Sequence, residues 1–144
     1  MNDLLFQPYR LRELTLPNRI VVSPMAQYSA DADGLVTDWH LVHYGNLSLS
    51  GAGLVIVEAT AVVPEGRVSP CCLGLWDDDH VDGLRRIVNF SRRPNASYMG
   101  IQLAHAGRKA SVAQPWKGGA ALSQSEGGWK LWGASATPYP GRDE

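Results

Sequence analysis

Leu54-Val55-Ile56-Val57-Glu58 is the stretch from which the fold is read. Four apolar residues in succession, set off upstream by Gly51 and Gly53, fit a strand covered on both faces, since a strand with one wet face would alternate. Two further runs resemble it: Ile20-Val21-Val22, closed by Ser23-Pro24, and Tyr98-Met99-Gly100-Ile101-Gln102-Leu103. Between the first two, Asp38 is read as a helix N-cap, with apolar residues recurring at Trp39, Val42 and Leu47. Gly51 and Gly53 end that helix. Between the second and third runs, a loop holding Pro64, Gly66 and Pro70 leads to Asp77-Asp78-Asp79, whose charges suit a helix N-terminus. Val81, Leu84, Val88 and Ser91 follow at helical spacing, and Pro94 marks the end. Leu14-Thr15-Leu16 reads as a short strand before the turn at Pro17-Asn18-Arg19. The order β-α-β-α-β predicts an α/β fold with a parallel sheet. After Leu103 about 40 residues follow without clear periodicity, and loops of that length tend to be functional or disordered.

The chain has 144 residues, 44% of them hydrophobic and 19% charged, which suits a globular protein. A formal net charge of −1 offers no general attraction to nucleic acid or to an anionic membrane. Arg85-Arg86 and Arg92-Arg93 read as solvated helix positions. No stretch approaches the roughly 20 apolar residues of a membrane span, and the start from Met1 to Phe6 lacks the pattern of a secretion signal. A cytoplasmic protein is expected. Cys71 and Cys72 are adjacent and read as small buried residues rather than a disulfide framework. His40 and His43 lie three apart, a spacing that can bind metal; with no third ligand nearby they read as satisfied helix histidines, and no metal is expected.

In parallel α/β folds ligands gather at the carboxyl ends of the strands. Those ends read Ser23-Pro24-Met25-Ala26-Gln27-Tyr28, Glu58-Ala59-Thr60-Ala61, and Gln102 followed by Ala104-His105-Ala106-Gly107-Arg108-Lys109. Together with Asn18-Arg19-Ile20, Asp38-Trp39-His40, Gly51-Ala52-Gly53 and Pro64-Glu65-Gly66-Arg67, these blocks resemble, in order, the first part of the Old Yellow Enzyme family. The resemblance is strongest to its bacterial xenobiotic-reductase and thermophilic-like branch. It covers nearly the whole chain and implies the amino-terminal portion of a TIM (β/α)8 barrel: about three βα units followed by a long loop.

The resemblance also implies function. FMN would lie across the barrel mouth, held by Ser23, Pro24, Met25, Ala26, Ala59 and Gln102. Main-chain donors of the 23–26 segment would stabilise charge on the reduced ring. Ala59 would let the ring approach, and Gln102 would offer the paired donor and acceptor that the pyrimidine edge needs. Tyr28 and Lys109 would face the substrate. His105 and Arg108 belong to the family's loop signature, and Glu58 reads as a structural carboxylate rather than a general base. The activity implied is NAD(P)H-dependent reduction of an activated C=C bond, with an enone-type substrate.

Two departures stand out. Position 26 is Ala where this branch commonly carries a cysteine, so thiol tuning of the flavin is absent. The barrel typically takes about 250 residues, and the family's substrate-gripping histidine pair, tyrosine proton donor and phosphate-binding strands lie further on. No catalytic residue is therefore expected within residues 1–144, taken as one incomplete barrel domain. A second polypeptide is expected to supply the rest. The alternative is a truncated, inactive product that only associates with a partner chain; a dienoyl-CoA reductase-like barrel is a weaker reading.

Overall fold

The computed structural model describes residues 3–141. Residues 1, 2 and 142–144, which hold part of the start read for a secretion signal and the chain's last three positions, lie outside the described residues. Two strands, β1 (Tyr9–Leu11) and β2 (Leu14–Leu16), form an antiparallel hairpin. Then follow β3 (Val21–Val22), α1 (Asp38–Ser48), β4 (Leu54–Ala61), α2 (Asp79–Ser91) and β5 (Tyr98–Ala104). β3, β4 and β5 make one parallel sheet in that order, with β4 central. This is the β-α-β-α-β order expected.

β4 is covered as its apolar run requires: Val55 and Val57 are buried, and with Tyr44, Leu73 and Ile87 they form the core. The strands beside it are not buried on both faces. Val21, Ile101 and Leu103 are exposed, because nothing among the described residues is layered over that side of β3 and β5.

The helices differ from expectation in instructive ways. α1 is capped by Thr37, and Asp38 is its first helical residue. The Thr37 N–H donates to His40 Nδ1 at 3.0 Å, while its hydroxyl donates to the Ser29 carbonyl at 2.9 Å. That second bond ties the cap to the loop after β3, which decides between two residues equally able to cap. α1 ends at Ser48, short of Gly51. Trp39 and Val42 face outward, and the buried face is instead His40, Tyr44, Gly45 and Ser48. Small residues sit there because the helices approach closely: a Cβ on Gly45 would stand 3.1 Å from the Phe90 ring of α2. In α2 the inward line is His80, Leu84, Ile87 and Ser91, and Val88 is exposed.

The long segment after β5 is ordered without regular secondary structure. It makes short 3-10 turns and a bridge between Val112 and Ala121. Arg67 anchors it. Its guanidinium lies 5.3 Å from the Trp76 ring and 5.2 Å from the Trp129 ring, and donates to the carbonyls of Ala32, Pro64 and Pro70. Trp129 in turn donates to the Glu65 carbonyl at 2.9 Å. One cation thus joins the loops that follow all three strands. Arg67→Ala removes two cation–π contacts worth about 0.5–1 kcal/mol each, so a loss of about 1–2 kcal/mol in urea unfolding is expected. The expected signature is faster proteolytic cleavage between residues 110 and 138, with the β4–β5 ladder still protected from hydrogen exchange.

Candidate active site

The carboxyl ends of β3, β4 and β5 lie side by side because the strands are parallel neighbours. A cavity of about 350 Å³ opens at the tips of β4 and β5. Ala59, Gln102 and Lys109 line it together, with Arg67, Cys72 and His105. Ser23, Pro24, Met25, Ala26 and Tyr28 do not line this cavity; they follow β3 on the adjoining side of the same rim.

The sheet register explains what reaches the cavity. β4 and β5 pair residue for residue up to Val57 and Ile101, then resume at Ala59 and Gln102. Glu58 is the extra residue of a β-bulge, which re-aims side chains at a strand end. It is fully buried, while Ala59 beyond it is half-buried against the cavity.

The donor set at the rim fits a flat, polar-edged ring. The Gln102 side-chain amide is exposed and makes no hydrogen bond among the described residues, nor do the N–H groups of Met25 and Ala26. A free carboxamide, free main-chain donors and a single methyl between them match what a flavin's pyrimidine edge and ring face require.

On the outer side of this rim Tyr28 adopts φ +52° and packs edge-on against Trp116 of the long loop, ring centroids 5.5 Å apart. Burial, then the nearby Cys72 and Glu58, push its hydroxyl above its ordinary value, which keeps it a protonated donor. Both cysteines are free; Cys72 is buried, and burial pushes its thiol up.

Residues 4–127 match the NADH:flavin oxidoreductase / NADH oxidase family. The chain belongs to that family. An NADPH dehydrogenase of Geobacillus thermodenitrificans is 54% identical over 113 residues, and one of Bacillus cytotoxicus is 50% identical over the same length. Each match takes in 78% of this chain. The chain spans about a third of the length of these curated relatives. Among solved structures it is similar to an Old Yellow Enzyme from Pichia sp. AKU4542, with TM-score 0.70 and 27% identity over 76% of this chain and 28% of that one. A morphinone reductase solved in complex with tetrahydroNAD gives TM-score 0.68 and 30% identity over 76% of this chain and 29% of that one. The fold is the amino-terminal part of the Old Yellow Enzyme barrel, and the family is flavin-dependent.

Among the described residues no group of three or more His, Cys, Asp or Glu side chains could hold a metal ion, and no helix is long and apolar enough to cross a membrane. His40 departs from the satisfied helix histidine expected. Its Nε2 is buried without a hydrogen-bond partner, 3.5 Å from Glu58 Oε1. His43 packs edge-on against Tyr44 and stacks on Trp39; burial lowers its pKa.

Sequence reasoning passed over Gln27 and undervalued Glu58. The Gln27 N–H donates to Glu58 Oε2 at 2.8 Å, and its side-chain amide donates to the Met25 carbonyl at 2.8 Å. One signal was available: an acidic residue directly after four apolar ones in a strand read as covered on both faces.

Proposed function

We propose that this chain is the FMN-binding amino-terminal part of an NAD(P)H-dependent ene reductase, acting on activated, enone-type C=C bonds. The observation that carries the reading is the shared rim: Ala59 and Gln102 on one cavity, beside the unpartnered N–H groups of Met25 and Ala26. FMN, when bound, supplies the hydride chemistry that links the nicotinamide to the alkene. The chain's own residues bind and orient. Gln102 donates and accepts at the pyrimidine edge, the Ser23–Ala26 main chain donates where negative charge collects on reduction, and Ala59 keeps the ring face clear. Tyr28, held protonated, and Lys109 line the substrate side. The groups that grip the substrate oxygen and deliver the final proton come from outside these residues, on strands that close the barrel in the cytoplasmic complex. Those strands cover exposed Val21, Ile101 and Leu103.

Mixing the chain with the remaining carboxyl-terminal part of the Geobacillus thermodenitrificans relative tests this. The expected result is a yellow complex that oxidises NADPH when an enone is supplied. The exposed sheet faces also favour a second reading, in which the chain associates with its partner but binds no flavin. A stable, colourless complex without NADPH turnover would establish that one and defeat the first.

A further inference from the structure

Every polar group of Gln27 is engaged. Its N–H donates to Glu58, its carbonyl accepts from the Ser29 hydroxyl at 3.0 Å, and its side chain bridges the Met25 carbonyl and the Trp39 indole N–H. Glu58 is itself held from several sides. Tyr44 donates its hydroxyl proton to Glu58 Oε1 at 3.1 Å and accepts the Glu58 N–H, freed from the ladder by the bulge, at 2.9 Å. Burial pushes the Tyr44 hydroxyl well above its ordinary value, and the Glu58 charge adds to this, so it stays a donor. His40 Nδ1 accepts the Thr37 N–H, which leaves the ring's proton on Nε2, the nitrogen facing Glu58. These contacts link a fully buried carboxylate in β4 to the main chain of residues 25–27. The two residues just before this anchor have N–H groups without a partner among the described residues.

We infer that Glu58 and Gln27 are positioning residues: a latch that fixes where the Met25 and Ala26 main-chain donors stand relative to the rim. The flavin consequence rests on the function proposed above; the latch itself does not. Glu58 does not line the cavity, so its hold on the main chain of residues 25 and 26 passes through Gln27. A carboxylate accepts from both Gln27 and Tyr44, whereas a carboxamide offers one oxygen and turns an NH₂ group towards the other donor. Glu58→Gln therefore loosens the latch while nearly preserving volume.

Hydrogen exchange on the full chain reads this directly. In Glu58→Gln the Gln27 amide is expected to exchange at least about ten-fold faster, the equivalent of one lost hydrogen bond, with Val55, Val57 and Ile101 unchanged. Gln27→Met removes the side-chain bond to the Met25 carbonyl, leaves the Glu58 cluster intact and serves if Glu58→Gln fails to fold; it should lower the NMR order parameters of the Met25 and Ala26 amides. In the yellow complex, Glu58→Gln is expected to raise the FMN dissociation constant about ten-fold and to shift the flavin absorption band, which loss of bulk stability alone would not do. Unchanged exchange at Gln27 in Glu58→Gln, unchanged order parameters at residues 25 and 26 in Gln27→Met, or equal acceleration across the whole sheet, overturns the latch. Local loosening with unchanged flavin affinity and spectrum overturns its link to the site. A colourless wild-type complex refutes the flavin reading instead, and the exchange data still decide the latch.

Discussion

Gly53→Ala lowers the stability of the chain by about 2–3 kcal/mol, near the top of the usual range for overpacking. Residue 53 precedes β4 at the point where all three parallel strands begin. Its N–H donates to the Ile20 carbonyl at 2.9 Å, and its carbonyl accepts the Tyr98 N–H at 3.2 Å. A Cβ there would stand 2.5 Å from the Asn18 carbonyl oxygen and 3.0 Å from Asn18 Oδ1. Asn18 cannot give way cheaply. Its side-chain NH₂ donates to the Gly51 carbonyl at 2.8 Å, and its Oδ1 accepts the Ile20 N–H at 3.0 Å. The clash is therefore with main chain already committed to the sheet. Gly51→Ala makes the control: nothing lies within 4 Å, and φ is +85°. It incurs only left-handed backbone strain, about 1–2 kcal/mol. Urea unfolding followed by far-UV circular dichroism separates the two. If Gly53→Ala proves no worse than Gly51→Ala, close packing of Asn18 is not what fixes the strand starts.

The same corner shows what a sequence reader could and could not see. Asn18-Arg19-Ile20 and Gly51-Ala52-Gly53 were visible as blocks, but only the fold reveals that they are two sides of one contact. β4 was legible because its burial comes from local composition; an apolar run needs no knowledge of its neighbours. β1 was not, since Tyr9-Arg10-Leu11 is exposed throughout and leaves no pattern of burial to detect. The helix cap was misplaced by one residue because Thr37 and Asp38 are both good caps, and the bond that chooses reaches Ser29, eight positions away. α1 misled for a related reason. Its outward Trp39 and Val42 look like a core stripe, while its buried side holds His40 and Tyr44, recruited by a carboxylate 14 or more residues downstream. Strand-end residues Ala59 and Gln102 were placed on one rim by topology alone, which parallel order dictates. The Glu58–Gln27 contact spans 31 residues and depends on a bulge, and neither leaves a trace in spacing.

Ala59→Leu is expected to weaken FMN binding by the assembled complex at least about 100-fold, roughly 2.7 kcal/mol, while leaving the fold intact. The bulge makes this separation of effects possible. Because Glu58 is the extra residue, the ladder resumes with Ala59 opposite Gln102, and both residues line the cavity. A larger side chain at position 59 therefore grows into a space of about 350 Å³ and displaces nothing in the core. Leucine is itself apolar and adds no buried polar group and no unpaired charge, the usual sources of large destabilisation. Lost binding is then a matter of shape: a ring cannot lie against the strand tip and remain within hydrogen-bond reach of Gln102 and the Met25–Ala26 main chain. Ala59→Ser, nearly equal in size, should retain binding within about three-fold of wild type. Titrating FMN fluorescence against the complex, with thermal unfolding measured in parallel, gives both quantities. Wild-type affinity in Ala59→Leu would mean that the flavin does not sit over β4, and the rim would then belong to some other ligand.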